Sequence, residues 1–183
     1  GARPGDDLYV SGTLGDARLA LEVFRGTRSV PQAAFEAARE RMEQPTPRVA
    51  LGLALRGVAT AAADISDGLV GDLGHILKAS GTGACIDTSI AINLIAARGH
   101  LTLEGGQSDA EFALECVLAG GDDYELVFTA PPAARNRVKA AAVQAQTPVT
   151  RIGRIEAEPG LRLVDGSGAP VAGRFTSFDH FSD

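Results

Sequence analysis

The chain has 183 residues, 45% apolar and 22% charged, enough to bury the core of one globular domain. Asp and Glu outnumber Lys and Arg by 23 to 17 for a formal net charge of −6, and the chain holds 2 Tyr and no Trp; a nucleic-acid surface needs clustered cations and stacking rings, so that class is excluded. No apolar run reaches about 18 residues, so nothing reads as a membrane span.

No basic-then-apolar leader follows Gly1, and the chain soon enters "DDLYVSG", so it reads as the later part of something longer. Leu8 to Ser11 is a short β-prone run stopped by Gly12. "LGDARLALEVFRG" sets Leu14, Ala17, Leu21 and Phe24 near helical spacing, with Gly26 as terminator. "VPQAAFEAARERMEQ" predicts a second helix, with Pro31 in its first turn and Phe35, Ala38 and Met42 as its apolar stripe. "PTP" breaks it, and "PRVALGLALRG" predicts another helix from Pro47 to Gly57. "VATAAADI" reads as a buried strand. In "GLVGDLGHILKASG" Leu69, Leu73, Ile76 and Leu77 share one helical face, and Gly81 supplies the stop.

"ACIDTSI" is β-branched enough for a strand. "INLIAARG" fits no single element, "HLTLEGGQS" reads as loop, and "DAEFALECVLAGG" as a helix with Asp109 at its N-cap. "YELVFTA" predicts a strand and "PPAARNRVKAAAVQAQ" an Ala-rich helix. "VTRIGRI" and "LRLVD" are expected to pair across "EAEPG", and "GRFTSFDHF" closes the chain. The alternation predicts an α/β (α+β) fold, a mixed β-sheet with covering helices in one domain. Cys85 and Cys116 sit in apolar contexts and read as reduced, buried thiols of a cytoplasmic protein. With His75, His100 and His180 they give no zinc spacing.

Three polar residues, Asp64, Ser66 and Asp67, lie where a strand turns into a helix. A purely structural reading makes Ser66 or Asp67 the helix N-cap. One such group suffices for a cap, however, and strand-to-helix junctions are where open α/β folds bind anions. An anion beside two carboxylates needs a cation between them, and Mg2+ takes such oxygen ligands together with phosphate oxygens. "LAGGDDYELVFTA" places Asp122 and Asp123 in a Gly-rich turn whose ordinary reading is structural. Glu125 lies inside the following strand, where Glu is disfavoured. It reads either as a solvent-facing strand residue or as a carboxylate for an amino-pyrimidine or cationic ring. Phe175, Phe178 and Phe181 recur every third residue, as anchors for the chain's end or as a ring for a flat ligand. His180 reads as structural.

In order, "GARPGDDLYVSGTLGDA", "PRVALG", "ADISDGLVGDLGHILKASGTGACID", "GGDDYELVFT", "RIGRI" and "FDHF" resemble the C-terminal half of the thiamine-monophosphate kinases, within the aminoimidazole ribonucleotide synthetase superfamily. The resemblance runs through nearly the whole chain and departs from the family pattern between Thr88 and Asp109. It implies a sandwich like the C-terminal domain of that superfamily, and ATP-dependent phosphorylation of thiamine monophosphate with several Mg2+ ions. It also implies a homodimer whose N-terminal domain, absent here, supplies dimer contacts and most metal-binding aspartates. Carried over by position, Asp64 and Asp67 would be metal ligands, Ser66 an ATP contact, and Glu125 and Phe178 substrate contacts. Such chemistry needs no catalytic base, because the acceptor is already an anionic phosphate. The alternatives are a sister ATP-dependent enzyme, which would need a different motif at 64–69, and a non-catalytic or regulatory domain, against which the acidic stretch argues.

Overall fold

A computed structural model describes residues 1–96 and 107–171. Its frame is a six-stranded mixed sheet of β1 (Asp7–Ser11), β2 (Ala61–Ile65), β3 (Gly83–Asp87), β4 (Glu125–Ala130), β5 (Val149–Glu156) and β6 (Gly160–Val164), in the order β2-β4-β1-β5-β3-β6. Every neighbouring pair is antiparallel except β3 with β6, which run parallel. The helices are α1 (Asp16–Phe24), α2 (Gln32–Glu43), α3 (Val49–Ala54), α4 (Leu69–Ser80), α5 (Thr88–Ala91), α6 (Gln107–Ala119) and α7 (Arg135–Gln144). The α/β (α+β) architecture expected from the alternation is therefore present.

Both faces of the sheet are covered, which is why all five residues of β1 are buried. Side chains alternate along a strand, so Leu8 and Val10 join the core that also takes in Leu19 of α1, Leu69, Leu73, Ile76 and Leu77 of α4, and Cys116 to Leu118 of α6. Tyr9 points the other way and stacks on Phe128 at 5.1 Å, within a second core closed by Leu51 of α3 and by Val138 and Ala141 of α7. The expected face of α4 is buried as read, and Gly81 caps it in a left-handed conformation (φ 67). Burial of each Leu or Ile of that face is worth about 1.5–3 kcal/mol.

Several sequence expectations are corrected. β5 and β6 form no hairpin: β3 lies between them, antiparallel to one and parallel to the other. The "VATAAADI" strand is not buried throughout, because β2 is an edge strand with Ala62 and Asp64 exposed. The strand at "ACIDTSI" stops at Asp87, whose carboxylate accepts the Ser89 N–H and so caps α5. Asp109 is not the N-cap of α6, which begins at Gln107. Leu21 and Phe24 fall at the margin of α1's buried face; Phe24 is 54% exposed and meets Phe35 edge-on. Both cysteines are free and buried, as expected.

Candidate active site

The corner between β2 and α4 is built by a residue the sequence reading passed over. Gly68 (φ 118) holds the N-cap position, with no side-chain cap. A Cβ there would lie 3.0 Å from the Ala119 carbonyl, so glycine lets the turn close on the end of α6. Asp72, in the first turn of α4, reaches back and accepts the N–H groups of Ser66 (2.9 Å) and Asp67 (3.1 Å). Burial pushes the Asp72 carboxyl up from its ordinary value, those two N–H groups pull it down, and the charges of Asp67 and Asp64 push it up again. The expectation that Ser66 or Asp67 is the N-cap is thus corrected. Capping is ruled out as the reason for three polar groups here, and Asp64 stands exposed with Ser66 and Asp67 half-buried.

The second motif docks onto the first through its backbone. Asp122 N–H donates to the Ser66 carbonyl (2.9 Å) and Tyr124 N–H to that of Ile65 (3.0 Å). A Cβ on Gly121 would sit 2.6 Å from the Ser66 oxygen, and one on Gly120 2.3 Å from the Cys116 oxygen and 2.8 Å from the Arg18 Cβ, so the paired glycines admit the turn after β2 on one side and α6 and α1 on the other. Asp122 and Tyr124 take positive φ (66 and 52) to make this turn. The Tyr124 hydroxyl donates to Asp122 at 3.3 Å; its phenol is raised first by the Asp122 charge, then by burial, with Asp67 and Asp64 adding to it. The stretches around 64–67 and 120–124 therefore form one acidic corner. Beside it lies a cavity of about 330 Å³, whose lining includes Arg18, Arg25, Met42, Ser66, Asp67 and Asp122.

The remaining acids of the turn point inward. Asp123 is buried and accepts the Gly15 and Ala17 N–H groups (2.7 and 3.4 Å) at the start of α1. Burial pushes it up to about 8, against the pull of the Gly15 N–H and with help from the Asp16 charge. Glu125 is fully buried, which removes the reading of a solvent-facing strand residue. Its carboxylate accepts from Ser11 Oγ (2.5 Å), Arg41 Nη2 (2.6 Å), and Arg48 Nε and Nη2 (2.7 and 2.6 Å).

This corner and its frame can be set beside known proteins. The family model described as "AIR synthase related protein, C-terminal domain" matches residues 3–166. The chain belongs to that family. It is 41% identical, over 184 aligned residues, to a thiamine-monophosphate kinase of Salmonella typhimurium strain LT2, covering 100% of this chain and 54% of that protein. A crystal structure of thiamine-monophosphate kinase from Stenotrophomonas maltophilia K279a superposes with a TM-score of 0.77 at 41% identity, over 93% of this chain and 52% of that one. A second structure, described as AaThiL complexed with AMPPCP and TMP, gives a TM-score of 0.73 at 32% identity, over 99% and 53%. The resemblance read from the motifs holds, and this AIR synthase related domain spans about half the length of the curated relatives it matches.

For an AIR synthase related domain, the structure brings Asp64, Ser66 and Asp67 to one corner and sets Glu125 behind it under two arginines. Phe178, like Phe175 and His180, lies outside the described residues. Among the described residues no group of three or more His, Cys, Asp or Glu is placed to hold a metal ion, and no helix is long and apolar enough to cross a membrane. An exposed and a half-exposed carboxylate nonetheless suit a hard divalent ion that takes few protein ligands and fills its shell with phosphate oxygens and water. Sequence reasoning missed Asp72, Arg41, Arg48 and Ser11. An acid in a helix's first turn was a signal for Asp72; nothing local marked the others.

Proposed function

We propose that this chain supplies the C-terminal half of the active site of a thiamine-phosphate kinase, which moves the terminal phosphoryl group of ATP onto thiamine monophosphate to give thiamine diphosphate. The observation that carries the reading is the acidic corner. Asp72 takes over the backbone N–H groups of the turn, so the carboxylates of Asp64 and Asp67 are not spent on capping. Relatives named thiamine-monophosphate kinase at 41% and 39% identity, and the related structure holding AMPPCP and TMP, support the substrate pair.

Asp64 and Asp67 would hold Mg2+ at the nucleotide's phosphates, and the Ser66 hydroxyl would donate to a phosphate oxygen. A divalent cation bound there supplies neutralisation between two phosphate groups that otherwise repel. The attacking atom is an oxygen of an anionic phosphate, so no side chain has to remove a proton. The work of the residues is to fix the two phosphates in line and keep charge balanced. Glu125 belongs to the acceptor side, as does Phe178 by the resemblance. The remaining half of the active site, further metal-binding carboxylates and a homodimer contact are assigned to an N-terminal domain that this chain does not contain. The two buried, unpaired thiols suit a reducing compartment such as the cytoplasm.

In the complete protein, Asp64→Asn and Asp67→Asn are expected to lower turnover by about a hundredfold or more, the scale of a lost electrostatic contact in phosphoryl transfer. Melting temperatures should stay within a few degrees, since neither residue holds the cap. Loss of folding with activity spared would return either aspartate to a structural role. Calorimetry should also show Mg2+-dependent heat with ATP and thiamine monophosphate; a domain that kept the fold without the reaction would give none.

A further inference from the structure

Glu125 has no acceptor capacity left to offer a ligand. A carboxylate presents about four lone-pair sites, and four are taken, by Ser11, Arg41 and twice by Arg48. The backbone is shaped around this arrangement. Gly12 sits at φ 56, and a Cβ there would lie 2.0 Å from Glu125 Oε1, so only glycine leaves room for the carboxylate. Ser11 Oγ in turn accepts the Leu126 N–H at 2.8 Å, tying the cluster into the β1 and β4 ends.

The guanidiniums lie between Glu125 and solvent: the side chains of Arg41 and Arg48 are 18% and 13% exposed, against 0% for Glu125. They come from opposite ends of one connection, the last turn of α2 and the residue capping α3. Two cations against one anion leave the cluster with an excess positive charge. Arg48 spends Nε and Nη2 on Glu125, and Arg41 spends Nη2 on Glu125 and on the Asp123 carbonyl (3.4 Å). Each guanidinium carries further N–H donors. The cluster adjoins the acidic corner, because Glu125 pairs across the sheet with Ile65, the residue before Ser66, and Arg41 Nη2 reaches the carbonyl of Asp123, the residue after Asp122. A cationic ring approaching here meets two guanidiniums ahead of the carboxylate, whereas a phosphate monoester meets donors of the fork geometry that suits it.

We propose that Arg41 and Arg48 form the seat for the acceptor's phosphate group, with Glu125 as the buried positioning residue that aims them. The inference rests on the kinase reading for the identity of the acceptor, but its chemistry requires only a phosphate monoester. It gives Glu125 a role in substrate binding exercised through the arginines.

The test uses the complete protein and its Arg41→Ala, Arg48→Ala and Glu125→Gln variants, with thiamine monophosphate, unphosphorylated thiamine and inorganic phosphate as probes in calorimetry. The arginine variants should lose affinity for thiamine monophosphate by about ten- to a hundredfold, the size of a lost charge-assisted hydrogen bond, and lose inorganic phosphate to a similar degree. Their affinity for thiamine should not change, and the KM for ATP should stay within about twofold. Glu125→Gln, which keeps the volume and loses the charge, should show the same selective loss in weaker form. Arg41→Lys and Arg48→Lys should keep part of the phosphate affinity that the alanine variants lose. Equal loss of thiamine and thiamine monophosphate, or phosphate binding that survives in both arginine variants, would overturn the proposal. Arginine-dependent phosphate binding in a protein that ignores thiamine monophosphate would sustain the seat and discard the kinase reading.

Discussion

At the scale of single residues, the acids of this domain divide by how their charge is used. Asp64 faces solvent, Asp72 binds the backbone of the turn, and Asp123 is sealed under α1. The last has a measurable consequence. Its ordinary value is 3.8 and burial carries it to about 8 in the fold. Between those values the folded protein keeps a proton that the unfolded chain has released. Stability from this group is therefore fully present below about pH 4 and is lost as pH rises toward 8. Asp123→Asn stays neutral throughout and still offers an oxygen to the Gly15 and Ala17 N–H groups. Urea unfolding at pH 5, 6, 7 and 8 should show wild-type stability falling more steeply than that of the variant. Parallel curves would mean that the carboxylate is charged in the fold and that the N–H groups of α1 outweigh its burial.

At the scale of elements, what could be read in the sequence was what local periodicity encodes. The α4 stripe of Leu69, Leu73, Ile76 and Leu77 and the stop at Gly81 were legible because spacing and a left-handed glycine act within one helix. The β5–β6 connection was misread because turn residues show where a chain reverses, not which strand fills the gap. The interposed β3 depends on contacts between residues far apart in sequence. The acidic corner was half legible: Asp64, Ser66 and Asp67 announce themselves by composition, whereas Arg41 and Arg48 acquire meaning only once β4 brings Glu125 to them. The interposed strand also fixes a position that periodicity leaves unmarked. Gly153 of β5 faces β3 so closely that a Cβ would lie 2.0 Å from the Cys85 carbonyl oxygen. Gly153→Ala must push β3 and β5 apart, and a cost of about 1–3 kcal/mol is expected, as for overpacking. A melting temperature equal to wild type would show that β3 and β5 accommodate the methyl group without moving apart.

For the molecule as a whole, a half-site is a different object from a weak site. Asp64 and Asp67, the proposed metal ligands, project from an edge strand and the turn that follows it, and no group of three or more His, Cys, Asp or Glu among the described residues is placed to hold a metal ion. Two carboxylates without further ligands hold Mg2+ poorly in water, since the ion surrenders its hydration reluctantly and demands near-octahedral oxygens. The 183-residue chain, supplied with ATP, Mg2+ and thiamine monophosphate, should therefore give no turnover above background. The complete protein should turn over, stop on addition of EDTA in excess of Mg2+, and resume when Mg2+ is restored. The same chain should still unfold cooperatively, because both cores close on its own strands and helices. On the proposed reading folding and function separate: the fold supplies the positions of the charges, and the charges are expected to act only when further ligands share the ion. Steady product formation by the isolated chain would place every group the reaction needs within these residues and so remove the case for a divided active site.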